Sequence, residues 1–255
     1  MFERFEVPKA YVAIQALLSL FANGKTTGVV CDSGDGVSHA VPIYDGCCLP
    51  QGVLRLNLGG RDLTDYMQRL LQETGNSFTT TVEKDMLRTL KEELCYIALN
   101  YNEELTKSQQ HSHEILQSFT LPDERVIHVN SERFKCPEVL FKPHWIGLEQ
   151  KGIHHLVNDS IIKCRDVDIA RDLYKNIILS GGTTMLKGFA ARLTHEIQSL
   201  VPTSVSLQVL APENRKYNVW VGGSILASLT SFQEQWISKF EYKESGSSIV
   251  HRKCN

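Results

Sequence analysis

The chain has 255 residues, with 27 Lys and Arg against 29 Asp and Glu, for a net charge of −2. That length buries a real core and divides into one large domain or two small ones. The balanced charge excludes a basic nucleic-acid surface and an acidic disordered tail, and contents of 42% hydrophobic and 22% charged residues are ordinary for a globular protein.

The opening, MFERFEVPKAYVAIQALLSLFANG, reads as an extended lead-in and then a helix ended by Asn23-Gly24. The helix is apolar nearly all round, which suits burial on several sides. Because it has no evident partner in the chain, something in front of it is expected to be missing. Its apolar stretch is shorter than a bilayer span and holds Gln15 and Ser19. No basic region precedes it and no cleavage pattern follows it, so neither membrane insertion nor a signal peptide is expected. A Gln inside such a helix is notable, because burying an amide costs free energy unless it finds partners.

Three strand-like runs come next, 28–32, 37–43 and 53–58, spaced as an antiparallel meander. Then Leu63, Met67, Leu70 and Leu71 recur at helical spacing up to Gly75. Thr80 and Glu83 form a capping box for a helix with Met86, Leu87, Leu90, Leu94 and Ile97 on one face, and Arg88, Lys91 and Glu92 away from it. Residues 101–120 read as a surface loop or weak helix, and RVIHV, after Leu121-Pro122-Asp123, as a small strand. In the second half DVDIARDLYKN is helical and NIILSGG is a buried strand. TTMLKGFAARLTHEIQSLVP is a helix with Phe189, Leu193, Ile197 and Leu200 on one face. VSLQVLAP is a strand, and VWVGGSILASL is a strand running through Gly222-Gly223 into a helix. The order argues α/β architecture with a mixed sheet.

Several loops carry candidate chemistry. In DSGDG, Gly34 and Gly36 permit positive φ and close approach of a ligand, the amides can form an anion-binding concavity, and Asp32 can orient a water on Mg²⁺. An ordinary hairpin turn explains the loop equally well. In SGGTT, Gly181 and Gly182 precede a helix whose N-terminus favours phosphate, with a plain strand-to-helix connection as the bland alternative. VGGS at 221–224 repeats the shape. NGKTTG fails as a P-loop, since Ser19 stands where G-x-x-x-x-G-K-S/T needs its first glycine and a helix precedes it. His39 lies on the strand leaving DSGDG, where a satisfied core or surface histidine is the usual case. The scattered cysteines, Cys31, Cys47, Cys48, Cys95, Cys136, Cys164 and Cys254, form no CxxC or zinc pattern and point to free thiols in a reducing, cytosolic setting. The pairs His111 with His113 and His154 with His155 read as solvated loop residues rather than metal ligands.

The stretches VPKAYVAIQALLSLFANGKTTGVVCDSGDGVSHAVPIYDG, LRLNLGGRDLTDY, KEELCYIAL, ERFKCPEVLF, LSGGTTM, RKYNVWVGGSILASL and QWISKFEYKESGSSIVHRKC resemble actin, in order and along the whole chain. The resemblance implies the actin-like ATPase fold shared with sugar kinases and heat-shock chaperones: α/β, mixed sheets flanked by helices, here incomplete at the N-terminus. It divides the chain into 1–22 completed by 218–255, 23–58 with 149–217, and 59–148. It implies ATP or ADP with Mg²⁺ or Ca²⁺ in a cleft. Asp32, Gly34, Asp35 and Gly36 inherit phosphate and metal-water roles, with Asp32 reaching the metal through water. Gln15 and His39 match positions that orient the attacking water beside Asp32, and Gly60, Lys91, Glu92, Gly182 and Lys216 match positions around ribose and base. Phe21, Gly24, Thr26, Leu226, Leu229 and Ser231 match a hydrophobic cleft where actin-binding proteins dock a helix. Phe141 and HWIGL match a loop that packs between filament strands.

The expected activity is that of a cytoplasmic, cytoskeletal filament subunit with slow ATP hydrolysis. Its implied partners are other actin subunits and proteins of the profilin, cofilin, gelsolin and myosin types, with no nucleic acid. Four positions depart from the pattern: Leu186 replaces a tyrosine near the base, Cys47 an aromatic, Asn57 an aspartate and Asn255 the terminal phenylalanine. The family's first phosphate loop and DNase-binding subdomain are expected to be missing ahead of Met1, so nucleotide binding and polymerisation are expected to be impaired. The alternative reading is a non-polymerising actin-related protein acting as a binding module. A sugar kinase ranks below both, since no aspartate can be placed to deprotonate a sugar hydroxyl.

Overall fold

Strand β1 (Lys9–Ala10) and helix α1 (Gln15–Ala22) open the chain, followed by β2 (Gly28–Ser33), β3 (Ser38–Tyr44), β4 (Cys47–Cys48) and β5 (Leu54–Leu56). Helices α2 (Gly60–Glu73), α3 (Thr81–Leu94), α4 (Tyr101–Gln110) and α5 (Ser112–Ile115) lead to the hairpin of β6 (Gln117–Thr120) and β7 (Val126–Val129). Then come α6 (Glu132–Glu138), α7 (Ile153–Ile162), α8 (Val167–Tyr174), β8 (Ile177–Ser180), α9 (Phe189–Leu200) and β9 (Val209–Leu210). The chain closes with α10 (Asn218–Ser228), β10 (Ile237–Ser238), α11 (Lys239–Ser245) and α12 (Val250–Lys253). The computed structural model describes residues 1–122 and 124–254. Asp123 and Asn255, singled out in the sequence, lie outside the described residues.

The main sheet has the order β4-β3-β2-β8-β9, with β5 also paired to β3. β2 pairs antiparallel with β3 and parallel with β8, so the expected mixed sheet is present. Its central strand is buried on both faces, which explains the unbroken apolar run GVVC. Alternation sorts the side chains: Val29 and Cys31 join the large core with α2, α3, α7 and α9, whereas Val30 and Ile178 pack on Ala16 and Leu20 of α1. Thr80 Oγ1 accepts from the Glu83 N–H at 3.2 Å while the Glu83 carboxylate accepts from the Thr80 N–H at 2.9 Å, the reciprocal cap read from the sequence.

The structure corrects four local expectations. Helix α1 does have a partner in the chain, because α10 lies across it so closely that a Cβ on Gly222 would overlap the Leu18 carbonyl. VWVGGSILASL is accordingly helical throughout, and Gly222 serves helix packing rather than a strand-to-helix turn. The segment after SGGTT is a short 3₁₀ turn, Gly182–Met185, and α9 starts only at Phe189, behind Gly188 at φ +86°. Residues 101–120 hold two helices and a strand. Asn100 caps α4 by accepting from the Asn102 N–H at 3.1 Å, and Tyr101 and Leu105 pack on Phe134.

His154 is a further correction. It is buried in the first turn of α7 and stacked on Phe141, and its Nδ1 has no hydrogen-bond partner. Burial first, and the neighbouring His155 second, lower its pKa from 6.5 to about 4. Arg192 lowers it further, while Glu196 and Asp159 oppose. The unfolded chain therefore takes up this proton before the folded one, so stability falls as pH drops from 6.5 and the loss is complete below about 4. Urea titrations across this window are expected to show a falling midpoint, and the slope is expected to flatten in His154→Gln. An unchanged slope in the variant counts against this assignment.

Candidate functional site

Two bends at the C-terminal ends of the parallel neighbours β2 and β8 meet at one end of the sheet. In the β2–β3 bend the Gly34 N–H donates to the Val37 carbonyl at 3.1 Å, and Asp32 faces His39 across the strands. Neither Gly34 nor Gly36 uses positive φ, contrary to the expectation from DSGDG. The bend's role is close approach: the N-terminus of α2 docks on it, with Gly60 N–H donating to Gly34 O at 2.9 Å and Arg61 N–H to Asp35 O at 2.7 Å. A Cβ on Gly59 would lie 2.5 Å from Asp35 O, so this contact requires glycine there. The second bend is pinned by Gly181, at φ +89°, whose Cβ would run into the Ser33 carbonyl. Thr183 Oγ1 then donates to Gly34 O at 2.8 Å and joins the two bends.

Between them opens a cleft of about 260 Å³. Gly34, Asp35, Gly60, Lys91, Glu92, Gly182 and Lys216 line it, together with Leu63, Arg88, Thr183, Met185 and Leu186. Lys91 is buried, against the helical-face reading, because the start of α2 covers it: its Nζ donates to Gly60 O at 2.6 Å and Thr64 Oγ1 at 2.9 Å. Burial pushes its pKa down. Arg88 donates to Glu92 at 3.1 Å, a bond that raises the Arg88 pKa and places a cation and an anion on one rim. Arg61 reaches Asp35 at 2.9 Å. A Cβ on Gly182 would meet only Lys216 Cγ, at 4.0 Å, so the floor at Gly182 is open backbone. The cleft thus combines bare backbone, basic side chains and an apolar wall of Leu63 and Leu186, donor chemistry suited to phosphates beside a flat apolar group.

Gln15, Asp32, Gly36 and His39 are not among the residues lining this cleft. Asp32 is half-buried at the end of β2, and burial is the main cause of its raised pKa, with His39 and a Ser180 hydrogen bond opposing. His39 is lowered, chiefly by burial, with Asp32 opposing. Gln15 is exposed at the first position of α1, so the desolvation argument made for it fails. It sits one turn before Ser19, whose Oγ pairs with Ser180 Oγ at 2.8 Å, and Ser180 lies beside Asp32 in the sheet. Residues four apart share a helix face, so Gln15 belongs to the face turned toward the Asp32 strand end. Among the described residues no group of three or more His, Cys, Asp or Glu could hold a metal ion. A single carboxylate such as Asp32 suits a hydrated divalent cation that also uses phosphate oxygens.

A model of the actin family matches residues 1–255. The chain belongs to the actin family. Its mixed sheet flanked by helices is the actin-like ATPase fold. Actins generally bind a nucleotide with a divalent cation, associate with actin subunits and actin-binding proteins, and are typically cytoskeletal and cytoplasmic. No helix among the described residues is long and apolar enough to cross a membrane.

The residues matching actin's partner cleft sit on or just beyond two helices that touch. Phe21 is half-buried near the end of α1, with Gly24 and Thr26 exposed behind it. Leu226 is half-buried on α10, and Leu229 and Ser231 are exposed after it. Phe141 is core, packed on Phe189 and His154, whereas Trp145 of HWIGL is half-buried against Tyr101. Of the departures from actin, Leu186 lines the cleft, Cys47 is exposed on β4, and Asn57 donates its N–H to Gln150 Oε1 at 3.0 Å. Sequence reasoning missed Thr183, Arg88, Met185 and Leu63 as cleft residues; the signal for Thr183 was its place directly after the glycine pair.

Proposed function

We propose that the cleft between the two bends holds ATP or ADP with Mg²⁺ or Ca²⁺, and that the chain is an actin-type filament subunit with slow ATP hydrolysis. The observation that carries this is the Thr183–Gly34 hydrogen bond of 2.8 Å, which sets both glycine bends on one cleft lined by the buried Lys91 and by Lys216. Backbone amides of the Gly34–Gly36 bend would receive phosphate, and Gly60, Lys91, Glu92, Gly182 and Lys216 would surround ribose and base. Asp32 would hold the hydrated cation, which would supply charge neutralisation, and Asp32, His39 and Gln15 would position water at the strand end. Such a site acts by positioning and electrostatics. Leu186 offers an apolar surface in place of an aromatic face, and base–aromatic stacking is worth about 1–3 kcal/mol, so nucleotide is held weakly.

The division into 1–22 with 218–255, 23–58 with 149–217, and 59–148 is supported by the sheets: β1 pairs with β10, the main sheet draws on 28–56 and 177–210, and β6–β7 stands apart. Actin subunits and helix-docking partners at Phe21, Leu226 and Leu229 belong to the same proposal.

Fluorescent-ATP titration of the whole chain tests the reading. Gly182→Val points new methyl groups into open cleft rather than into protein, so the circular dichroism spectrum is expected to be unchanged while affinity drops at least tenfold. Equal affinity in wild type and variant, or no saturable binding at all, rejects this cleft as the nucleotide site.

A further inference from the structure

The geometry points to a second ligand site, distinct from the nucleotide cleft, in which the cavity at the N-terminus of α7 takes a small oxyanion of the phosphate type. The cavity measures about 360 Å³ and lies between the turn at Lys142–His144, the start of α7 and the Arg192–Glu196 face of α9. Its wall includes His144, Lys151, His154 and His155.

Three observations select an anion. The first is His154, only 9% exposed, with a buried Nδ1 that no protein group engages. The ring lines the cavity while its Nδ1 is turned into protein, an unpaired polar atom with a standing cost. A ring flip that brings this nitrogen to the cavity side would let a bound group with acceptor oxygens engage it. The second is the surplus of donors. Lys151 Nζ spends one contact on Asp159 at 2.9 Å and keeps further protons free, while His144 is exposed and His155 half-buried beside it. The carboxylate in the wall, Glu196, is already held by Arg192 Nε at 2.6 Å, and Arg192 also forks onto Glu138 at 3.0 Å through both terminal nitrogens. The third is the helix itself: α7 runs ten residues, Ile153–Ile162, with Gly152 as N-cap, so its positive end faces the same space. A Cβ on Gly152 would strike the Phe141 carbonyl, and this contact holds the α7 start against the Phe141 turn. A metal does not fit the same walls, because no three ligating groups converge among the described residues.

Histidine imidazole resonances of the full chain, followed by NMR during titration with sodium phosphate at constant ionic strength, test the site. Saturable shifts of His154 and His155 are expected, with Lys151→Gln weakening the apparent affinity at least fivefold. Lys151 is exposed, so this variant is expected to fold. Lys216→Gln, which alters the nucleotide cleft, is expected to leave the His154 and His155 shifts intact. A parallel titration with glycerol phosphate separates free from esterified phosphate by which saturates at lower concentration. Absence of saturation with either anion, equal shifts with chloride, or loss of the shifts in Lys216→Gln would overturn the proposal.

Discussion

Gly222→Ala is expected to destabilise the protein by about 3 kcal/mol, the upper part of the range for overpacking a close contact. The added Cβ overlaps the backbone carbonyl of Leu18, and a carbonyl inside a helix cannot swing away as a side chain does. Helices α1 and α10 must therefore part, which loosens the packing of Leu20 and Ala16 on Val30 and Ile178. Gly223→Ala is the control. Its Cβ would meet only Leu18 Cδ1, at 3.6 Å, an ordinary contact. Replacing glycine in a helix interior recovers about 0.5–1 kcal/mol, so this neighbour is expected to be neutral or stabilising. The denaturation midpoint should fall in Gly222→Ala and hold or rise in Gly223→Ala. Matching losses would mean that helix propensity or a different contact governs the pair.

The same glycines show why some of the fold was legible and some was not. Strands β2 and β3 announce themselves through β-branched residues around a polar glycine turn, and the Thr80–Glu83 cap through side chains that act locally. Gly222-Gly223 is locally indistinguishable from a turn, because the reason for glycine is a helix more than 200 residues earlier in the chain, at Leu18. Lys91 failed for a related reason. It flanks Leu87 and Leu90 on α3 and reads as solvent-facing until α2 brings the Gly60 carbonyl over it. His154 looked like half of a solvated pair, yet Phe141 and α9 close over it. Asp35, Gly60, Lys91, Gly182 and Lys216 were placed together through resemblance, since nothing in their spacing joins residues so distant in sequence.

The second large effect follows from the proposed ATP hydrolysis, which places its water at the end of β2. Asp32→Asn is expected to lower ATP turnover by about 100- to 10,000-fold, the span typical of a lost acid–base or water-orienting group. Nucleotide affinity should change far less, because Asp32 is not part of the cleft wall that Gly182 and Lys216 form. Two environments set the pH dependence. Burial lowers the His39 pKa below 6.5, so the imidazole is neutral at pH 7 and free to accept a proton from water. Turnover should then be level above pH 6.5 and fall as acidification charges the ring. The Asp32 carboxylate is the influence that raises the His39 pKa against burial. Removing it in Asp32→Asn should therefore move the His39 titration to still lower pH, a shift readable by NMR whatever the turnover. His39→Phe should leave an acid limb set by Asp32 alone, with the Asp32 titration moved to higher pH because His39 is what lowers it against burial. A wild-type rate in Asp32→Asn, or an unmoved Asp32 titration in His39→Phe, would assign the water-positioning role to other groups.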